Sequence, residues 1–252
     1  MCLIAFALDA HPDYRLVLVA NRDEFYERPT QAMHWWSETG PLAGRDQRSG
    51  GTWLALSPQG RLSALTNFRS GLQDPSRRSR GELPLRALEA DDAGEQMQRI
   101  LSERQQYAPF NLICYDQGQM QVIGSEEPNQ RHSLQQGVHG LSNHLLDTPW
   151  PKVQRGCHAL EQLLQQPQIR HEQLIQSLHD REPAPDEALP DTGVGLSFER
   201  FFSPPFVHGG IYGTRATTAV TIRRDGYIEV TEQQYDTQAR ATEQRNFHWQ
   251  PR

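Results

Sequence analysis

Pairs of short apolar runs joined by turn-forming residues are the feature of this sequence that most restricts its fold. The clearest pair is Thr217–Ile222 and Tyr227–Thr231, which flank Asp225-Gly226. An Asp-Gly turn between two β-rich runs is a strong signal for a hairpin. Further pairs lie at residues 3–8 and 15–20, 53–57 and 61–66, and 111–115 and 120–123. The sequence therefore predicts antiparallel sheets built from hairpins.

Helical spacing is found mainly between these hairpins. Apolar residues recur at the spacing of a helix around residues 83–88, 97–101, 153–164 and 171–178. Because strands and helices are grouped and do not alternate, we predict an α+β fold formed by one domain over residues 1–252. The aperiodic segment from Phe25 to Thr52 is interpreted as a long ordered loop, Val138–Ser142 as a strand, and the polar tail after Gln233 as peripheral.

Composition restricts the classes of function. The 252 residues carry 25 basic and 31 acidic side chains, and the net charge of −6 argues against a nucleic-acid binder. The three cysteines favour a reducing compartment, and no spacing typical of a structural metal site occurs. No run approaches the ~20 apolar residues of a membrane-spanning helix. We therefore expect a soluble, cytoplasmic protein and interpret the basic run Ser76–Arg80 as a solvated loop.

The start of the chain carries the most specific chemistry. An initiator methionine is generally removed when the next residue is small, and here the next residue is Cys2. Removal of Met1 would leave a thiol and a free α-amine on the same residue. With a thiol pKa near ~8.5 and an amine pKa of about 7.7–8.0, one residue would supply both nucleophile and base. The alternative interpretation is a small buried side chain at the start of a strand.

Polar residues at the ends of predicted strands would each have a role if they converge on Cys2. They are Arg22, Asp23, Asn67, Asn143 and Arg215. Arg22 would lower the thiol pKa, and Asp23 would hold the α-ammonium group. Asn143 would donate to an oxyanion, and Arg215 would orient Asp23 or a substrate carboxylate. The alternative is a set of turn residues and surface ion pairs.

These residues lie in motifs that resemble the NRDE family, which is also named after transport and Golgi organisation protein 2. The N-terminal M-C-L-I-x-F and the tetrapeptide Asn21-Arg22-Asp23-Glu24 carry the resemblance first. It continues in the family's order through Gly44-Arg45-Asp46, Gly50–Ala55, Leu65–Arg69, Gly140–Asn143, Leu146–Lys152 and Gly213–Thr218. Each motif is weak alone, but their joint order over nearly the whole chain is specific.

The resemblance implies a four-layer αββα sandwich similar to the N-terminal-nucleophile hydrolases, and most similar to the bile-salt and penicillin V acylases. The acylase working set runs Cys, Arg, Asp, Asn, Asn, Arg along the chain. Here that order is occupied by Cys2, Arg22, Asp23, Asn67, Asn143 and Arg215. Arg22 and Asp23 are adjacent, whereas the acylases keep them slightly apart. Because adjacent strand residues face opposite sides, both can reach Cys2 only with a local bend or bulge.

The resemblance also implies possible ligands. Members of the family are implicated in intracellular haem trafficking and in lipid or acyl-CoA metabolism, with no settled reaction. The chain has no C-x-x-C-H haem attachment motif. His139 and His144, which flank Ser142-Asn143, are either haem ligands or ordinary structural histidines.

Two hypotheses follow. In the first, the protein is a cysteine amidohydrolase or acyl-transfer enzyme that uses Cys2 on a small amide or thioester, requires no cofactor and has a depressed thiol pKa. In the second, it is a non-catalytic carrier that binds haem or acyl-CoA in the same pocket. A third interpretation, a scaffold in membrane traffic, has only the family name in its favour.

Overall fold

The strands and helices follow the predicted grouping in a computed structural model that describes residues 2–69, 76–127 and 131–251. In chain order, the strands are β1 (Cys2–His11), β2 (Tyr14–Phe25), β3 (Thr30–Trp35), β4 (Leu42–Asp46), β5 (Leu54–Leu56), β6 (Leu62–Asn67), β7 (Phe110–Asp116), β8 (Gln119–Gly124), β9 (Arg131–Leu134), β10 (Gly137–Leu141), β11 (Tyr212–Arg223), β12 (Ile228–Tyr235) and β13 (Ala241–Trp249). The α-helices are α1 (Leu83–Glu89), α2 (Ala93–Ser102), α3 (Pro151–Leu163), α4 (His171–Ser177) and α5 (Leu196–Phe201).

Within these residues, the strands form two antiparallel sheets. The first has the order β10-β1-β2-β11-β12-β13, and the second runs from β3 to β9 in sequence order. The first sheet joins the two ends of the chain, because β2 pairs with β11. The predicted N-terminal hairpin is confirmed, and its register places Cys2 opposite Arg22 and Ile4 opposite Ala20. The start of the chain therefore meets the far end of β2.

The main core lies between the two sheets and follows from the alternation of side chains along each strand. The first sheet contributes Ile4, Phe6, Leu8, Leu16, Leu18, Val220, Ile222, Ile228 and Val230. The second contributes Leu42, Leu54, Leu56, Leu62, Ile113, Met120 and Val122. A slip of one residue would turn each of these side chains to the opposite face, so the buried pattern fixes the register.

Helices cover the two outer faces of the sandwich. On the first sheet, Leu3 and Ala5 share a cluster with residues of α3 and α4, including Leu160 and Leu174. On the second, strand residues such as Leu112 and Cys114 share a cluster with Leu83, Met97 and Ile100 of α1 and α2. The predicted α+β fold and its αββα layers are confirmed. Among the described helices, none is both long and apolar enough to cross a bilayer.

The predicted loop between Phe25 and Thr52 is wrong, because this segment contains β3 and β4. Its apolar residues are too few to show a period-2 pattern. β3 lies at the edge of its sheet, with Met33 as its one buried side chain. Pairing with β4, in which Thr30 lies opposite Asp46, makes this segment a strand. Neighbouring strands, and not local pattern, therefore decide its structure.

The polar tail is peripheral, as predicted, but it is also a strand. β13 lies along β12 at the edge of the first sheet, with Ile228 opposite Trp249 and Val230 opposite Phe247. Most of its side chains are exposed, which explains a sequence without a strong apolar pattern. Two further short elements, β9 and α5, lack a clear pattern for the same reason.

Candidate functional site

Cys2 occupies the first position of β1, directly opposite Arg22 of β2. Opposed residues of an antiparallel pair share one face, so both side chains are directed toward the space between the sheets. Ile4 and Ala20, the next pair on that face, belong to the core there. Ser142, just after β10, donates its hydroxyl to the backbone carbonyl of Cys2 at 2.8 Å. Strands on both sides of β1 therefore fix the position of Cys2.

The ionisation of Cys2 differs from the predicted depressed pKa. Burial raises the pKa of the Cys2 thiol in the chain that begins with Met1, and the nearby Asp23 carboxylate also raises it. The positive charge of the chain's terminal amino group, the backbone N–H of Asp23 and the charge of Arg22 act in the opposite direction but do not outweigh burial. Cys2 as a residue keeps some solvent exposure. The exposed part of the residue does not prevent this rise in pKa, because protein groups surround the sulfur atom and displace the water that would stabilise a thiolate.

Asp23 lies next to Arg22 but on the opposite face of β2, as alternation along a strand requires. Its side chain is buried, and its Oδ1 accepts a hydrogen bond of 2.7 Å from the hydroxyl of Thr214 on β11. Burial raises the pKa of Asp23, while the charges of Lys152 and Arg22 oppose that rise. Asp23 is therefore a carboxyl group inside the protein, within electrostatic reach of cations that include Lys152 and Arg22.

Asn143 links three parts of the site. It is fully buried, at 0% exposure. Its Nδ2 donates to the backbone carbonyl of Asn67 at 3.0 Å, and its Oδ1 accepts from Lys152 Nζ at 3.1 Å. Ser142 Oγ lies 3.2 Å from the same Oδ1. An amide nitrogen carries two hydrogens, and the bond to Asn67 uses one, so the second N–H of Asn143 has no partner among the described residues.

The two predicted arginines differ in their placement. Arg22 is buried, with its guanidinium 4.3 Å above the ring of Trp53 and 3.8 Å from Asp46. Arg215 is only half-buried, and its Nη1 donates to the backbone carbonyls of Phe25 and Arg28 at 2.9 and 3.2 Å. The structure therefore brings Arg22 against Cys2 and places Arg215 at the rim of the site.

A bulge in β11 accounts for the placement of Arg215. Thr214 lies opposite Asp23 and Ala216 lies opposite Arg22, so Arg215 is an extra residue in the ladder. The register of β1 with β2 is regular at Cys2 and Arg22, so the bulge lies in the neighbouring strand β11 and leaves Arg22 and Asp23 on opposite faces of β2. The bulge brings Thr214, which the sequence did not single out, within hydrogen-bonding distance of Asp23.

Lys152 is a site residue that sequence reasoning placed in a motif without assigning it a role. Pro151 occupies the first turn of α3, a favoured place for proline, and Lys152 follows it. The side chain is buried and bonded to Asn143. Burial lowers the pKa of Lys152 to about 8, with the charge of Arg69 acting in the same direction. The available signal was that Lys152 is the only lysine in the sequence.

Arg80 corrects part of the interpretation of Ser76–Arg80 as a solvated loop. Residues 76–79 are exposed, but Arg80 is half-buried and donates to the carbonyl of Pro109 at 3.3 Å. Burial lowers the pKa of Arg80, and the charges of Cys2 and Glu24 oppose that change. Arg80 therefore lies within electrostatic range of the thiol, which no local pattern indicated.

The cavity beside Cys2 is small. It has a volume of about 10 Å³ and is lined by Cys2, Ile4, Ala20, Asn21, Arg22, Trp53, Leu54, Ala64, Leu65 and Thr218. A cavity of this volume holds about one water molecule. A larger ligand therefore has to approach Cys2 from outside this cavity.

The histidines flanking Ser142-Asn143 have partners of their own. His139 lies 2.8 Å from Asp147 through Nδ1 and 3.2 Å from the carbonyl of Gln136 through Nε2. His144 Nδ1 lies 2.9 Å from the hydroxyl of Thr148. Both side chains thus support the turn that connects β10 to α3. The described part of the chain contains no group of three His, Cys, Asp or Glu side chains that could hold a metal ion.

The solved structures to which the chain is similar include that of an amidase. The N-acylethanolamine-hydrolyzing acid amidase ortholog of Caenorhabditis elegans aligns with 86% of this chain and 92% of its own, with a TM-score of 0.46 and 10% sequence identity.

Sequence comparison gives a closer relationship. The family described as Transport and Golgi organisation 2 matches residues 1–237. The Mus musculus Transport and Golgi organization 2 homolog is 33% identical over 254 residues, and the Homo sapiens homolog is 34% identical over 254 residues. In both cases 92% of this chain and 92% of the relative are covered. The Drosophila melanogaster protein is 25% identical over 263 residues, with the same coverage. The chain therefore belongs to the Transport and Golgi organisation 2 family.

Proposed function

We propose that this protein is a cysteine-dependent acyl-transfer enzyme that acts on a small amide or thioester through Cys2. The observation that carries the proposal is the position of Cys2 opposite the buried Arg22, with Asp23, Asn143 and Lys152 buried close by. Polar groups in a protein interior cost free energy unless they are paired, typically about 1–3 kcal/mol each. Their concentration at one strand end is typical of a site retained for chemistry.

The proposed reaction begins after Met1 is removed. The free α-amine of Cys2 accepts the thiol proton, and the thiolate attacks the carbonyl carbon. The carbonyl electrons move to the oxygen, where the remaining N–H of Asn143 stabilises the negative charge. The leaving amine or thiol takes the proton, and water then hydrolyses the thioester formed on Cys2. Arg22 favours the thiolate, and Asp23 holds the α-ammonium group.

The first test is the intact mass of the protein after brief exposure to limiting iodoacetamide at mildly acidic pH. We expect loss of Met1 and one fast adduct, mapped to Cys2. Cys114 and Cys157 serve as internal controls, since burial raises the pKa of each thiol to about 12. Labelling of Cys2 no faster than the two controls would contradict the proposal.

The second test looks for an acyl-enzyme. Amide and thioester substrates are screened for a covalent mass increase on Cys2, with Cys2→Ala as the matched variant. We expect Cys2→Ala to fold and to lose both adduct and turnover, because no other thiol can replace the nucleophile. Unchanged turnover in Cys2→Ala would contradict the proposal.

One observation favours a second candidate, a carrier that binds haem or acyl-CoA without reaction. Burial raises the pKa of the Cys2 thiol while Met1 is present, which disfavours the reactive thiolate. A carrier would show a saturable spectral shift with haem, or thermal stabilisation by acyl-CoA, and no product. Absence of both effects at micromolar ligand would remove this candidate.

The proposed location is the cytoplasm. Cys2, Cys114 and Cys157 are all free thiols, which is consistent with a reducing compartment. Fractionation of cells that express the tagged protein would test this location, and recovery in an oxidising compartment would contradict it.

A further inference from the structure

The single lysine of this chain lies inside the Cys2 site. The sequence has 25 basic residues, and all except Lys152 are arginine. The two side chains differ chemically, because arginine stays protonated in proteins whereas lysine can lose its proton when buried. Lys152 is 2% exposed. The one basic side chain that can act as a neutral amine is therefore in the protein interior.

The contacts of Lys152 do not explain it as a structural ion pair. Its Nζ donates to Asn143 Oδ1 at 3.1 Å. Within the described residues, no carboxylate lies within 4.0 Å of Nζ, although the charged groups of Asp23 and Glu199 act on it from farther away. A buried ammonium with one neutral hydrogen-bond partner is costly, so the environment favours the neutral amine.

The groups around Lys152 support the same conclusion. Arg69 opposes its positive charge, while Cys2, Asp23 and Glu199 favour it. Lys152 also lies in the first turn of α3, where the positive end of the helix dipole disfavours a cation. The carboxylate of Glu199 is engaged by the guanidinium of Arg69, and that of Asp23 by Thr214. Lys152 is therefore poised between its two protonation states. Asn143 Oδ1, which Lys152 binds, lies 3.2 Å from Ser142 Oγ, and Ser142 Oγ donates to the Cys2 carbonyl at 2.8 Å, so a short hydrogen-bonded chain links Lys152 to Cys2.

We infer that Lys152 is the proton acceptor for the Cys2 thiol in the form of the protein that retains Met1. The inference rests on the proposed acyl-transfer function and deepens it. Without removal of Met1, the nitrogen of Cys2 is an amide and cannot act as a base. Lys152 Nζ takes the place of the α-amine, and the Asn143 bond holds it within the site.

The proton balance of this step is complete. The thiol proton moves through one bridging water molecule to the lone pair of Lys152 Nζ, which leaves a thiolate and an ammonium. The thiolate forms the C–S bond, and the carbonyl electron pair moves to the oxygen. When the bond to the leaving group breaks, the Lys152 ammonium returns its proton to the leaving nitrogen or sulfur. Lys152 is then a neutral amine again.

The single lysine permits a direct test by NMR. Protein that retains Met1 and is labelled with ¹³C- and ¹⁵N-lysine gives a single Nζ signal, which needs no assignment. We expect its titration midpoint near pH 8, and a shift of that midpoint to lower pH in Cys2→Ser, because the thiolate favours the ammonium and coupling between two sites is reciprocal. A midpoint at the ordinary value of about 10.4, or one that Cys2→Ser leaves unchanged, would overturn the inference.

Alkylation kinetics give a second test that separates this inference from the proposed function. Protein that retains Met1 is made with methionine aminopeptidase inhibited, and retention is checked by intact mass. The iodoacetamide rate at Cys2 is then measured against pH in wild type and Lys152→Met. We expect Lys152→Met to raise the midpoint by at least about one pH unit and to slow labelling about tenfold at neutral pH.

Arg155→Met is the matched control, because it removes a cation from the same helix but from a surface pair with Asp180. We expect its alkylation profile to match wild type. If wild type and Lys152→Met give superimposable profiles and Cys2 is still the fastest thiol, the role of Lys152 is overturned and the proposed function is not. If Cys2 is no faster than Cys114 and Cys157 with or without Met1, the proposed function fails, and the NMR coupling still decides whether Lys152 and Cys2 share a proton.

Discussion

The two ends of the β sandwich hold their charged residues in opposite ways. At the Cys2 end, Asp23, Asn143 and Lys152 are buried, and the cavity beside Cys2 has a volume of only about 10 Å³. At the other end, the hairpin turns line an open cleft of about 850 Å³. Charged residues there form exposed pairs, such as Arg223 with Asp225 at 2.9 Å.

This difference shows that the larger depression is not the one with buried charged groups beside it. Exposed ion pairs contribute about 0–1 kcal/mol, because the charged groups stay hydrated. Burial at the Cys2 end changes the pKa of Cys2, Asp23 and Lys152. The Cys2 end, which is small, polar and buried, is therefore the better candidate for a catalytic site. The large cleft is open to solvent.

The largest expected difference between the two ends is in stability. Arg69 and Glu199 form a buried ion pair beside Asn143, since the backbone N–H of Arg69 donates to the Asn143 carbonyl at 2.7 Å. Glu199→Gln removes the balancing charge, and we expect a loss of about 3–5 kcal/mol in the free energy of unfolding. Asp225→Asn, the matched change in the cleft, should cost at most about 1 kcal/mol. Urea denaturation measures both, and equal losses would contradict the comparison.

A pH-dependent effect of about 2 kcal/mol is expected from Lys152. Its pKa is about 8 in the folded protein and about 10.4 when unfolded. Between these values the unfolded state binds more protons, so the contribution of Lys152 to stability rises with pH. The free energy of unfolding of wild type minus that of Lys152→Met should therefore increase by about 2 kcal/mol from pH 8 to pH 10.

Urea denaturation at the two pH values measures this difference, and Arg155→Met is its control. Arginine stays protonated over that range, so wild type minus Arg155→Met should not change. If the difference in the free energy of unfolding between wild type and Lys152→Met is the same at both pH values, Lys152 has an ordinary pKa. That result would contradict the contrast between the two ends at this residue.

A smaller effect is expected from the hydroxyl that holds Asp23. Thr214→Val keeps the shape of the side chain but removes the bonds to Asp23 Oδ1 and to the backbone N–H of Val207. We expect a loss of about 1–3 kcal/mol, since buried polar groups lose a partner. Thr218→Val, a buried change on the same strand without a described hydroxyl bond, should stay within about 0.5 kcal/mol. Thermal denaturation of both variants tests this, and similar melting temperatures would refute it.

The smallest effect is expected in the cleft. Arg224 pairs with Asp9 at 2.8 Å, and both side chains are exposed. Arg224→Met should change the free energy of unfolding by less than about 1 kcal/mol and leave the alkylation rate of Cys2 within about twofold of wild type. A larger change in alkylation would show that the two ends communicate and would break the comparison.

The sequence predicted the fold where strands have one buried face. Along β11 and β12, Val220 lies opposite Val230 and Ile222 opposite Ile228, so the apolar residues of both strands reveal the pairing. β3 and β13 lie at sheet edges and bury few side chains. Their sequences carry no period, because an edge strand is held by backbone bonds to its neighbour and not by its own apolar residues.

The candidate site was predictable where one hairpin forms it. Two adjacent strands and a short turn are enough to bring Cys2 to Arg22, and the adjacent Asp23 follows along the chain. The approach of Thr214 depends on a bulge in β11, about 190 residues away in sequence. No local pattern could reveal that approach, because a bulge is a property of the paired strands.

By itself, the sequence determined the hairpins, the helical segments, the family motifs and a cysteine that removal of Met1 would leave at the chain start, all of which depend on local order. Only the tertiary structure decided that α3 carries Lys152 to Asn143, that Arg80 comes within electrostatic range of Cys2, and that the thiol pKa is raised. The physical reason is that hydration and electrostatic interaction depend on distance and burial, which arise when distant segments pack together.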